Sequence, residues 1–183
     1  HSGLELPAGF REFDLYHSPR RTLSCEGKLG YRGPLAPRAG GLPRIKLDLT
    51  ADERIVCSPI RAPVHHPYED GRGIKFDTLA YAYEEIFAEK VRALAERTRP
   101  RDLYDVVSLF RNTELRPSAP VLQEVLTQKC RFKNISVPTL SSVEQNKSAL
   151  SGSWNSMLAH QLPALPESEV FWSALPEFFH WLE

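Results

Sequence analysis

The period of polar and apolar positions changes near residue 80. Before it, short alternating stretches are punctuated by proline, glycine and arginine, the pattern of strands joined by turns. Arg44–Thr50 (RIKLDLT) is the clearest strand, with Ile45, Leu47 and Leu49 on one side and Lys46, Asp48 and Thr50 on the other. Arg21–Tyr31 is predicted as a strand ahead of it, followed by a glycine- and proline-rich loop over Gly33–Pro43. Ile60–Val64 and Ile74–Leu79 are predicted as two later strands. From Tyr83 onward the apolar positions recur at helical spacing. Helices are predicted over Tyr83–Thr98, Arg101–Arg111, Ser118–Lys129, Ser141–Gln161 and Glu167–Trp181, with a turn around Pro100 and the last helix interrupted or kinked by Pro176. The implied fold class is α+β: the end of a mixed β-sheet over residues 1–80, then an α-helical region over 81–183.

The helix EEIFAEKVRALAER carries the first candidate chemistry. On a wheel of about 100° per residue, Glu85, Glu89, Arg92 and Glu96 gather on one side, which reads as a solvated face with internal salt pairs. Tyr83, Ile86, Phe87, Val91 and Leu94 gather opposite and are predicted to be buried. Lys90 falls between Ile86 and Leu94, with Arg97 on the same line. A lysine there must snorkel to an edge, pair with a carboxylate of a neighbouring helix, or meet an anion, because an unpaired buried charge costs several kcal/mol. The next helix offers carboxylates: Asp102 lies beside its apolar stripe and Asp105 at the edge. A short turn joins the two helices, so an antiparallel hairpin would face Lys90 and one aspartate to a common cleft. Asp102 has two blander readings, an N-cap or a pair with Arg97 or Arg101. Asp48, in mid-strand, is either solvent-exposed or a metal ligand.

Charge narrows the classes only a little. The 23 basic and 23 acidic residues cancel, so no overall pull toward nucleic acid or membrane exists. Arg11, Arg20, Arg21, Lys28, Arg32, Arg38, Arg44 and Lys46 crowd the first quarter, either as a basic patch or as a solvated surface. Cys25, Cys57 and Cys130 are odd in number and lack metal-ligand spacing, which fits free thiols in a reducing cytosol and a cytoplasmic protein. No apolar run approaches the roughly 18 residues that span a bilayer, and no signal peptide or membrane partner is expected.

Taken together, the residues resemble a known family. The run Tyr83–Val106, YEEIFAEKVRALAERTRPRDLYDV, is similar to the signature of the AbiEii toxin-like nucleotidyltransferases, within the polymerase-beta-like superfamily. The match lies in Glu89-Lys90, Ala93, Arg97, Arg101-Asp102 and Asp105. IKLDLTADE (Ile45–Glu53) resembles the family's strand with a late active-site carboxylate, and HPYED (His66–Asp70) the segment after it. Trp154, Leu158, Gln161, Leu162 and Leu165-Pro166 resemble its helical tail. The resemblance implies transfer of a nucleoside monophosphate from an NTP to an acceptor, with Mg2+. It also implies the toxin half of a toxin–antitoxin pair, an antitoxin protein as partner, and in some members a tRNA acceptor. Carried over by residue, Asp48 is the carboxylate that binds metal or activates the acceptor hydroxyl. Lys90 holds triphosphate oxygens, and Asp105 is a further catalytic or nucleotide-positioning acid. Arg97 and Arg101 are assigned to the nucleotide, and Asp102 and Lys46 to structural support. Phosphoryl transfer is mostly positioning and charge neutralisation, which such residues supply.

One departure matters. Such enzymes open their site with a Gly-Gly/Ser turn and an Asp-x-Asp pair, and neither occurs here: Gly40-Gly41 precedes Leu-Pro-Arg-Ile, and DGRG (Asp70–Gly73) lacks the pair. The expectation is a C-terminal portion, truncated relative to the full enzyme, inactive alone, with an upstream segment encoding the missing motifs. It is also expected to self-associate through exposed strands. The alternatives are a non-catalytic remnant that binds RNA or protein through the early arginines and the helical tail, and a helical domain in which Lys90 and the aspartates form internal salt bridges.

Overall fold

The alternating stretches at the start of the chain form an antiparallel meander of β1 (Arg11–His17), β2 (Leu23–Gly30) and β3 (Arg44–Thr50). The computed structural model describes residues 3–17, 21–33, 41–65, 69, 75–97 and 99–183. By its contacts the chain divides into two units, His1–Glu53 and Arg54–Glu183. The division falls ahead of the change from strand to helix near residue 80.

Register explains the first unit. Phe13, Gly27 and Leu47 sit in one cross-strand row and Leu15, Cys25 and Leu49 in the next, so one face of the sheet is apolar. Among the described residues of this unit no second layer covers that face: the side chains of Phe13, Leu15 and Leu49 are exposed. The opposite face carries the rows Glu12–Lys28–Lys46 and Asp14–Glu26–Asp48. Gly27 is required by close approach, because a Cβ there would meet the Phe13 ring at 2.9 Å and Leu47 Cβ at 3.2 Å. β1 was not anticipated, although REFDLYH alternates. Every described pairing is antiparallel, where the end of a mixed sheet was expected.

In the second unit β4 (Ile60–Pro63) pairs with β5 (Asp77–Ala80). The expected strand starting at Ile74 begins later, at Asp77, and Ile74 itself lies outside the described residues, as do DGRG, most of HPYED and most of the Gly33–Pro43 loop. Helices follow: α1 (Tyr83–Arg97), α2 (Pro100–Arg111), α3 (Ala119–Lys133), α4 (Leu140–Glu144), α5 (Lys147–Leu158), α6 (Ser168–Trp172) and α7 (Leu175–Leu182). Pro100 opens α2, where a missing N–H costs nothing. Asn134, in left-handed geometry, closes α3. Two predicted helices are each split. Ser141–Gln161 is interrupted between α4 and α5. Glu167–Trp181 is interrupted before Leu175, the first of the two outcomes expected at Pro176, because the proline sits in the first turn of a new helix. The core joins Phe87, Val91 and Leu94 of α1 to Leu103, Val106 and Phe110 of α2, with Trp154, Phe171 and Phe178 from the tail. Phe87 stacks on Phe178 and Trp181, and the Arg116 guanidinium lies 4.6 Å from the Phe110 ring centre and 4.9 Å from that of Trp181.

α1 buries a different set of residues from the one its wheel predicts. The Glu85 side is not solvated: Glu85 is 1% exposed and Arg92 5%, while Ile86, expected to be buried, is 37% exposed. The reason is that α1 packs against both α2 and α3, so its charged stripe faces α3. There Lys129 Nζ lies 2.6 Å from Glu85 and 3.5 Å from Glu89, and donates to the Arg54 carbonyl. Glu85 Oε2 accepts from the backbone amides of Val56 and Cys57, clasping that segment to the helices. Arg92 holds Glu89 through two nitrogens and also pairs with Glu96. Burial alone would raise the Glu85 pKa, but the Lys129 ammonium and the two amides outweigh it and hold the carboxyl below the usual range.

Candidate active site

Lys90 emerges on the α2 side of α1. Its Nζ lies 2.5 Å from Asp105 Oδ2 and 3.8 Å from Asp102 Oδ1. The helix pair therefore brings both carboxylates that the sequence offered within reach of a single ammonium. Arg97 adds a second cation, 3.4 Å from Asp102 Oδ1. Asp102 caps nothing: it sits in the first turn of α2 and pairs with Arg97 and Lys90. Its side chain is 3% exposed, and Oδ2 is buried without a hydrogen-bond partner among the described residues. Burial raises its pKa even against Arg97 and Lys90, so this carboxyl gives up its proton reluctantly.

A cleft of about 310 Å³ opens beside this cluster, lined by Lys90, Arg97, Arg99, Arg101, Asp102, Met157 and Gln161. Four cations face two carboxylates when Asp105 is counted, leaving an excess of positive charge. Arg101 is held in place by Gln161 Oε1 at 3.0 Å. Lys90 and Asp105 also line a second cleft, of about 360 Å³, with Tyr83, Ile86, Ser108, Leu109 and Asn112. The first cleft has the chemistry of an anion site, and guanidinium and ammonium groups of this kind hold phosphate oxygens.

Asp48 and Lys46 belong to the sheet unit. The Asp48 side chain is 70% exposed, and Lys46 Nζ lies 3.8 Å from Asp48 and 3.7 Å from Glu26. Lys28 is paired with Glu26, Arg44 with Glu12 and Arg32 with Glu5, which neutralises much of the early basic cluster. Arg20 and Arg38 of that cluster lie outside the described residues. Among the described residues no group of three or more His, Cys, Asp or Glu is placed to hold a metal ion. A single exposed aspartate beside a lysine does not fit a magnesium ion on its own, since magnesium takes six oxygens in near-octahedral geometry.

The family model for the nucleotidyl transferase AbiEii toxin of type IV toxin–antitoxin systems matches residues 9–183. The chain belongs to the AbiEii family. No curated protein and no solved structure matches it. The AbiEii family is one of nucleotidyltransferases, and its name carries a nucleotide substrate and a place in a toxin–antitoxin pair. No helix among the described residues is long and apolar enough to cross a membrane. The three cysteines are free.

Of the residues that meet at this cleft, Lys90, Arg97, Arg101, Asp102 and Asp105 were singled out in the sequence, and Arg99 and Met157 were not. Arg99 was visible as the middle of an alternating basic run, Arg97-x-Arg99-x-Arg101. Gln161 was noticed only as part of the tail, and nothing local announces that it reaches a residue sixty positions earlier. Lys129 carried the same signal as Lys90, a lysine inside the apolar stripe Leu122, Val125, Leu126 and Cys130.

Proposed function

We propose that this chain is the part of a toxin-type nucleotidyltransferase that grips the triphosphate of the incoming NTP. The observation that carries the reading is the cluster at the α1–α2 hairpin, where Lys90 reaches Asp105 and Asp102 at the mouth of a cleft with three arginines. A triphosphate entering there meets Lys90, Arg97, Arg99 and Arg101 and takes over the ammonium now engaged by Asp105. Asp105, a quarter exposed, orients Lys90 and positions the nucleotide. Asp102, buried and reluctant to ionise, braces Lys90 and Arg97 from behind. The acidic role of Asp48, metal binding or activation of the acceptor hydroxyl, rests on the likeness of the IKLDLT strand alone. A tRNA acceptor, an antitoxin protein partner and a cytoplasmic setting belong to the same reading. The 183 residues hold no Gly-Gly/Ser turn followed by Asp-x-Asp, so these residues alone are expected to transfer no nucleotide.

A labelled-nucleotide assay tests this in two steps. The chain is assayed with each NTP, Mg2+ and total tRNA, alone and then with a segment supplying the Asp-x-Asp pair. The reading expects transfer only in the second case, lost in Lys90→Gln and Asp105→Asn. Full transfer by Lys90→Gln would sink it.

A further inference from the structure

The cleft on the other side of Lys90 has a different chemistry. Tyr83, Ile86 and Leu109 give it apolar walls, and Ser108 and Asn112 add a hydroxyl and a carboxamide. Neither polar side chain has a hydrogen-bond partner among the described residues. Tyr83 is held in place from two directions, by its hydroxyl donating to the Leu109 carbonyl at 2.9 Å and by an edge contact with Phe87. Ile86 is 37% exposed although Val91 and Leu94 of the same helix are fully buried, so its exposure marks a surface that the fold leaves open. A nucleotide has the same division: a polyanion at one end, and at the other a flat apolar ring with a hydrogen-bonding edge. Lys90, which lines both clefts, stands at the junction.

We infer that the cleft of Tyr83, Ile86, Ser108, Leu109 and Asn112 is the subsite for the nucleobase of the NTP. The base lies against Tyr83, Ile86 and Leu109, since apolar and aromatic side chains take any base by its π-face. Asn112 and Ser108 read its edge, a carboxamide being able to donate and accept at once. This inference rests on the triphosphate reading of the cationic cleft, because Lys90 is what joins the two.

The test is calorimetric titration of the full chain with ATP, CTP, GTP and UTP, each compared with inorganic tripolyphosphate. At least one NTP is expected to bind about tenfold more tightly than tripolyphosphate, the margin that base stacking supplies. Asn112→Ala and Ile86→Ala should each erase most of that margin and leave tripolyphosphate affinity unchanged. Retained tripolyphosphate binding also shows that the variants fold. Lys90→Gln should weaken both ligands together. Loss of both ligands in Lys90→Gln, with the full NTP margin kept in Asn112→Ala and Ile86→Ala, overturns the base subsite and leaves the cationic cleft standing. No NTP margin in the unaltered chain overturns the subsite as well. A chain that does not bind tripolyphosphate, or binds it equally well as Lys90→Gln, overturns the cationic cleft and the subsite with it.

Discussion

The two units handle charge in opposite ways. On the sheet, Lys46 with Asp48 and Arg44 with Glu12 are solvated pairs, each side chain at least half exposed. Such pairs decorate a surface and contribute little to stability. In the helical unit Glu85 and Lys129 are both 2% exposed and hold a chain segment by its backbone amides. Pairs of that kind fix where neighbouring elements go, and breaking one leaves an uncompensated charge inside. Lys90 lies between these extremes, 26% exposed, with one buried partner, Asp102, and one that is a quarter exposed, Asp105. The contrast teaches that a lysine inside an apolar stripe has two fates. Lys129 is consumed by structure; Lys90 stays reachable.

The largest effect should come from the buried clasp. Lys129→Met leaves Glu85 buried without its cation and is expected to cost about 3–5 kcal/mol. Urea unfolding followed by tryptophan fluorescence reads this unit specifically, because Trp154, Trp172 and Trp181 all lie within it. A cost below about 1 kcal/mol would put Lys129 in the same class as the sheet pairs.

Next in size is packing on the sheet. Gly27→Val forces a side chain into the Phe13 ring, and overpacking of this sort costs about 1–3 kcal/mol. Amide exchange of β1 and β2 should quicken while tryptophan unfolding stays put. A shift in the tryptophan transition would show that the sheet does not answer for itself.

Acid should separate the units further. Glu85 and Glu89 have folded pKa values below the unfolded value of about 4.3. Their stabilisation is therefore complete above that pH and is lost as pH falls through the folded values. Asp102 acts with the opposite sign: its folded pKa is raised, so protonation as pH falls through that value relieves a cost. Asp102→Asn should accordingly flatten one arm of the profile and cost the fold little at neutral pH. A profile of unfolding free energy against pH from 3 to 7, for the unaltered chain and for Glu85→Gln, checks this. Identical acid limbs in both would remove Glu85 from the account.

The helices were legible because a period near 3.6 sorts core from surface without any partner. Tyr83, Phe87, Val91 and Leu94 are half or fully buried as the spacing requires. The wheel failed for Glu85 and Ile86 because it assigns one inward face, and α1 has neighbours on two sides. β1 went unread although Phe13 and Leu15 alternate with Glu12 and Asp14; its apolar residues are few and exposed. Of the cleft, the local part was legible: Lys90, Arg97, Asp102 and Asp105 lie within two consecutive helices. Gln161 and Met157 arrive from α5 and its end, and a contact over that distance leaves no local trace.

The most direct test of the central claim, that Lys90 is kept for an anion and not for the fold, is urea unfolding of the unaltered chain and Lys90→Gln with and without tripolyphosphate. A ligand that binds only the folded chain must raise its unfolding free energy, by about 2.7 kcal/mol at a hundred times the dissociation constant. That rise is expected for the unaltered chain and a clearly smaller one for Lys90→Gln, whose stability without ligand falls by less than about 1 kcal/mol. A ligand-free loss of several kcal/mol in Lys90→Gln, or the same tripolyphosphate rise in both proteins, would contradict the claim.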